Sequence, residues 1–96
     1  MLVQKYLQEH IKMKKINPLD YNLPPRLNIQ VNKKKELFYI IDRKSRIIMK
    51  DGVKIFNHVQ EIRKKELSIK IILKTTAPVC SKTKAFLVEK GVSVVN

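Results

Sequence analysis

The stretch Ser68-Ile69-Lys70-Ile71-Ile72-Leu73-Lys74-Thr75-Thr76-Ala77-Pro78 opens in polar and apolar alternation and then runs solid through Ile71, Ile72 and Leu73. Alternation is the period of a strand with one wet face, and an unbroken apolar run marks a strand buried on both faces. This segment therefore belongs at the centre of a sheet. Pro78 ends it, because proline has no N–H to give to a ladder. Downstream, Val79, Thr83, Phe86 and Leu87 share one face of a helix, and Gly91 supplies the left-handed stop at which helices end. Val92-Ser93-Val94-Val95 then returns as a strand. Two strands joined through a helix run parallel by a right-handed crossover, so an all-helical or purely antiparallel fold is excluded.

Working upstream, Asp51 stands ready to cap a helix whose buried face would use Val53, Phe56, Val59 and Ile62, with Lys54, His58, Glu61 and Lys65 on its wet side. Before it, Leu37-Phe38-Tyr39-Ile40-Ile41 and Arg46-Ile47-Ile48-Met49 are β-rich runs flanking the polar break Asp42-Arg43-Lys44-Ser45, which reads as a hairpin. Leu27, Ile29 and Val31 alternate with Asn28, Gln30 and Asn32 as a half-buried strand, followed by the exposed turn Lys33-Lys34-Lys35-Glu36. Pro18, Pro24 and Pro25 mark 15–26 as a linker. Leu2, Val3, Tyr6, Leu7, Ile11 and Met13 recur at helical spacing, predicting an amphipathic helix over 1–14. The expected element order is α-β-β-β-α-β-α-β: one small α/β domain with a mixed sheet, its core spanning 27–96.

The chain's 96 residues leave room for one core, and at 44% hydrophobic with 2 Gly and 4 Pro it is too apolar for a disordered tail. Its single cysteine, Cys80, cannot form an internal disulfide, which suits a reducing, cytoplasmic setting. No apolar run approaches the roughly 18–20 residues that span a bilayer, and the N-terminal residues lack a secretory signal pattern. A membrane partner is therefore not expected. The N-terminal helix, set off from the core by three prolines, could pack on a second copy, so a homo-oligomer stays among the readings.

Charge carries the functional expectation. Against 21 Lys+Arg stand 8 Asp+Glu, a formal net charge of +13, and the cations cluster at turns: Lys33, Lys34 and Lys35, then Arg43, Lys44 and Arg46. Such clusters neutralise phosphates without reading sequence, so DNA or RNA is the expected partner, bound non-catalytically through the backbone. If both clusters occupied neighbouring hairpin turns, they would form one rim. An alternative from another class is an interaction protein whose basic surface docks an acidic protein. Neither His10 nor His58 has metal-ligand spacing to a second donor, and both read as surface histidines.

Asp42-Arg43-Lys44 at a strand end is an acid-x-Lys pattern, in which a carboxylate can hold Mg²⁺ and a lysine can orient the attacking water. With the element order, it resembles the restriction-endonuclease-like, PD-(D/E)xK superfamily, whose helix acid precedes an isolated Asp and then acid-x-Lys. That resemblance implies a metal-dependent nuclease as a further alternative, with Glu9 as the helix acid, Asp20 and Asp42 as metal ligands, and Asp42 and Lys44 as the catalytic pair. Two other likenesses fail on chemistry. The segment Ile69 to Gly91 looks like the first half of a glutaredoxin, but Ala77 stands where its nucleophile would be. Zinc-dependent deaminases need a partner cysteine that Cys80 lacks.

Overall fold

The computed structural model describes residues 13–96, a five-stranded mixed sheet with two helices. The strands are β1 (Lys14–Ile16), β2 (Asn28–Val31), β3 (Glu36–Ile41), β4 (Lys70–Thr75) and β5 (Val92–Val95); the helices are α1 (Met49–Lys65) and α2 (Ser81–Glu89). Sheet order follows chain order, β1-β2-β3-β4-β5. The β1–β2 and β2–β3 pairs are antiparallel, and the β3–β4 and β4–β5 pairs are parallel. The fold class read from the sequence therefore stands. Among the described residues no helix is long and apolar enough to cross a membrane.

Strand β4 sits inside the sheet with Ile71, Ile72 and Leu73 all buried, as its solid apolar run requires. Leu37, Tyr39, Ile71, Leu73 and Val92 form one hydrophobic core with Ile55, Val59 and Ile62 of α1 and Leu87 of α2. Burying each such aliphatic side chain is worth about 1.5–3 kcal/mol, so this face holds the helices on the sheet. Gly91 takes φ 82 and its N–H donates to the Val88 carbonyl (3.0 Å), ending α2 as expected. Arg63 closes the same corner: its guanidinium donates to the carbonyls of Lys90 (2.9 Å) and Gly91 (3.2 Å).

The structure corrects three readings. The first concerns the hairpin between 37–41 and 46–49. Ile47 is buried and makes only an isolated parallel bridge to Val79, while Met49 already opens α1. The helix start prevails because the Asp51 carboxylate accepts the Ile48 N–H (3.0 Å), satisfying an orphan donor and placing negative charge at the positive end of the helix. The third N-terminal strand is instead β1, inside the proline-containing segment.

The second correction follows from this. Segment 15–26 packs into the domain: Ile16 pairs with Ile29, a 3₁₀ turn spans Pro18–Tyr21, and Leu23 is buried. Its prolines are tolerated because Pro18 opens the turn, where its missing N–H is not needed. Asn17 accepts the Leu19 N–H (3.1 Å) and Asn22 closes the turn at φ 59. Lys14 lies in β1; the rest of the helix expected over 1–14, up to residue 12, falls outside the described residues.

The third correction is the buried face of α1, which is Gly52, Ile55, Val59 and Ile62, while Val53 is 45% exposed. Three-residue steps drift by about 60° each around a helix of 3.6 residues per turn, so Val53 and Ile62 cannot share a face. Phe56 turns toward α2 and meets Phe86 edge-on at 5.9 Å.

Candidate nucleic-acid interface

The C-terminal end of β3 delivers the loop 42–48, and Arg43 organises it. Its guanidinium donates to the carbonyls of Ser45 (3.1 Å) and Arg46 (3.2 Å) and pairs with Asp51 at 2.7 Å. The Ile48 N–H first, and Arg43 with it, hold the Asp51 carboxyl below the usual carboxylate range. Arg43 is therefore occupied in shaping the loop, leaving Lys44 and Arg46 as its exposed cations. Asp42 accepts a hydrogen bond from the Thr76 hydroxyl (2.8 Å), which ties the loop to the end of β4.

Lys33, Lys34 and Lys35 lie at the other end of β3. There the Asn32 side-chain oxygen accepts the N–H groups of Lys34 (3.0 Å) and Glu36 (2.9 Å), and Lys35 takes φ 61 to complete a tight turn. The six residues of β3, at about 3.3 Å each, separate this turn from the loop 42–48. The single rim expected from two neighbouring hairpin turns is not assembled, because 42–48 is a strand-to-helix crossover. Both ends of the sheet are basic.

Asp20 and Asp42 are also far apart. The Asp20 carbonyl accepts from Lys65 at the C-terminal end of α1, whereas Arg43 beside Asp42 pairs with Asp51 at the N-terminal end. A helix of 17 residues is about 25 Å long, and carboxylates sharing one metal stand about 4–6 Å apart. Among the described residues no three His, Cys, Asp or Glu side chains gather as metal ligands. Glu9 lies outside the described residues. The other carboxylate near Asp42 is Asp51, already neutralised by Arg43, so the donor set does not fit Mg²⁺ as the sequence drew it.

A cleft of ≈ 550 Å³ opens between the start of β2, the end of β3 and the first turns of α1, with Arg26, Tyr39, Asp42 and Lys54 in its lining. Behind it the Tyr39 hydroxyl lies 2.7 Å from His58 Nδ1, and the two rings stack at 5.9 Å. Burial pushes Tyr39 up to about 12. Burial chiefly, then the charges of Lys54 and Arg26, lowers His58. At neutral pH both groups are therefore uncharged, and the imidazole tautomer sets which of them donates. The sequence reading missed this pair by placing His58 on a wet face. The available signal was that Tyr39 alternates with buried Leu37 and that Lys54 and His58 stand one helical turn apart. At the other end of the sheet a larger cleft of ≈ 780 Å³ mixes Lys34, Lys35, Lys65 and Lys70 with Glu36 and Glu66. Cys80 is the half-buried residue before α2, its thiol pushed down by the N–H groups of Lys82 and Thr83.

No protein-family model matches the chain, and no curated protein matches it in sequence. Solved structures do match. A repair endonuclease from Pyrococcus abyssi superposes with a TM-score of 0.65 at 13% identity, covering 99% of this chain and 43% of that one. EndoMS in its apo form gives a TM-score of 0.63 at 11% identity, covering 99% of this chain and 41% of that one. The chain thus spans less than half the length of either neighbour. At such identity the likeness concerns architecture: the chain shares the fold of these two proteins over 99% of its length.

Proposed function

We propose that this domain binds nucleic acid, DNA foremost, through the phosphate backbone and without cleaving it. The observation that carries the reading is a formal charge of +13 on a fold shared with repair endonucleases, with exposed cations at both ends of the sheet. Lys33, Lys34 and Lys35 contribute at one end, Lys44 and Arg46 at the other, and Arg43 acts by holding its loop in shape. Support for the non-catalytic half is the separation of Asp20 from Asp42 and the engagement of Asp51 by Arg43. The binding is electrostatic, so it has little sequence preference and weakens steeply with salt.

The test is fluorescence anisotropy with a labelled duplex across a range of salt concentrations. Each lost phosphate contact lowers the log–log salt slope by about 0.9, so Lys33, Lys34 and Lys35 changed together to Ala flatten it by up to about 3. Affinity independent of salt, or no binding at low salt, refutes the proposal. Displacement of the duplex is also measured against acidic polypeptides: a partner protein held more tightly than DNA would move the reading to protein docking. Incubation with Mg²⁺ or Mn²⁺ completes the set, because cleavage abolished by both Asp42→Ala and Lys44→Ala would restore the nuclease.

A further inference from the structure

The cleft beside Tyr39 has the make-up of a ligand site that charge alone does not explain. Its volume of ≈ 550 Å³ falls within the range of about 300–1,000 Å³ typical of small-molecule sites. Its apolar lining comprises the partly exposed Leu27, Ile40 and Ile41 and the buried Ile55 and Tyr39. Arg26 and Lys54 also line it, both exposed, and neither makes a hydrogen bond or ion pair with another described residue. Their fields converge on one place, since both act on His58 behind the Tyr39 ring.

The remaining charges near the cleft are accounted for. Asp51 pairs with Arg43 and is reached more weakly by the charge of Lys54, and Asp42 is occupied on one oxygen by Thr76. An anionic group is therefore drawn to the Arg26 and Lys54 side and repelled from the Asp42 side. Apolar side chains and two exposed cations in one lining suit a ligand that is flat and apolar at one end and anionic at the other.

We propose that this cleft takes a single nucleotide unit, its phosphate held by Arg26 and Lys54 and its base laid against Leu27 and Ile41. The inference rests on the nucleic-acid reading above and adds a defined subsite to it. Tyr39, fixed by its hydrogen bond to His58, keeps the wall rigid, so binding does not require the wall to order itself. A free mononucleotide presents a base beside a monoester of nearly two charges, and a nucleotide within a strand presents the same base beside a singly charged diester.

The experiment is a titration of the isotopically labelled protein followed by NMR, with thymidine 5′-monophosphate, inorganic phosphate and oligothymidylate as separate probes. The monophosphate is expected to shift the amides around Arg26, Tyr39 and Lys54 and the imidazole of His58, and to bind more tightly than inorganic phosphate. The double change Arg26→Ala with Lys54→Ala should weaken it by about tenfold or more, a difference of about 1.4 kcal/mol. The triple change of Lys33, Lys34 and Lys35 to Ala should leave monophosphate binding within about twofold while weakening the oligomer. Tighter oligomer than monophosphate binding, lost with Arg26 and Lys54, assigns the cleft to a nucleotide within a strand; equal affinities assign it to a free nucleotide. Shifts elsewhere, or inorganic phosphate bound as tightly as the nucleotide, overturn the proposal. Salt-sensitive oligomer binding that bypasses the cleft sinks the subsite alone, whereas binding of no probe sinks the nucleic-acid reading with it.

Discussion

Gly52 lies where α1 and α2 touch, and replacing it with alanine sets two known effects against each other. A Cβ built at position 52 would meet Thr83 Cγ2 at 2.7 Å, inside any normal carbon–carbon contact. Thr83 is fully buried and β-branched, so it has little room to rotate away. Overpacking of this kind costs about 1–3 kcal/mol. Against it, alanine is favoured over glycine inside a helix by about 1 kcal/mol. Taking about 2 kcal/mol for the clash, Gly52→Ala destabilises the domain by about 1 kcal/mol, or about 4–8 °C in Tm. In a Thr83→Ala background the obstructing methyl is gone and only the helix preference remains, so the same change should stabilise by up to about 1 kcal/mol. Urea unfolding of the wild type, both single variants and the double variant closes the cycle, with an expected coupling of about 2 kcal/mol. If Gly52→Ala stabilises the wild type, or has the same effect in both backgrounds, the helices do not meet as tightly as this reasoning requires.

Three other predictions concern charge and pH. Asp51→Ala removes the acceptor of the Ile48 N–H and should cost about 0.5–2 kcal/mol by thermal unfolding. Because the folded-state pKa of Asp51 is lowered, its contribution is present above the unfolded value and is lost as pH falls through the folded one; the variant should show a flatter stability profile in acid. His58 is also lowered, so the unfolded chain binds its proton first, and stability should decline as pH falls below the ordinary histidine value of 6.5. Tyr39→Phe removes the hydrogen-bond partner of His58 Nδ1, so NMR titration should show the His58 pKa move, upward if the phenol donates and downward if it accepts; an unchanged value would mean that the hydrogen bond is not formed in solution.

The parts of the fold legible in the sequence were those in which one periodicity had no competitor. Ile71-Ile72-Leu73 could only be a strand covered on both sides, and Gly91 could only be a stop, as φ 82 confirms. The stretch Arg46-Ile47-Ile48-Met49 carried two messages, a β-branched run and an acid three residues into a helix. Burial of Ile47 satisfies the first message without a ladder, and the hydrogen bond from Ile48 to Asp51 satisfies the second. The candidate site was less legible because its members come from separated segments. Arg26 precedes β2, Tyr39 lies on β3 and Lys54 is on α1, and no spacing along the chain relates them. Asp20 and Asp42 show the converse: two acids that suit one metal by order along the chain, set at opposite ends of a helix by the path between them.

Because strand order in the sheet repeats strand order in the chain, no strand has to wedge itself between two that have already paired. Each pairing closes only the loop that separates neighbours, from the short turn between β2 and β3 to the two helical crossovers. Loop-closure entropy is then met in small instalments, which is the arrangement that correlates with rapid folding. It also sets a direction: the antiparallel N-terminal strands can form a template as they emerge during synthesis, and β4 and then β5 can add to its open edge. A permuted chain that began at β4 would have the same final contacts but would lose this accretion order, and its refolding should slow while its native hydrogen bonds remain the same.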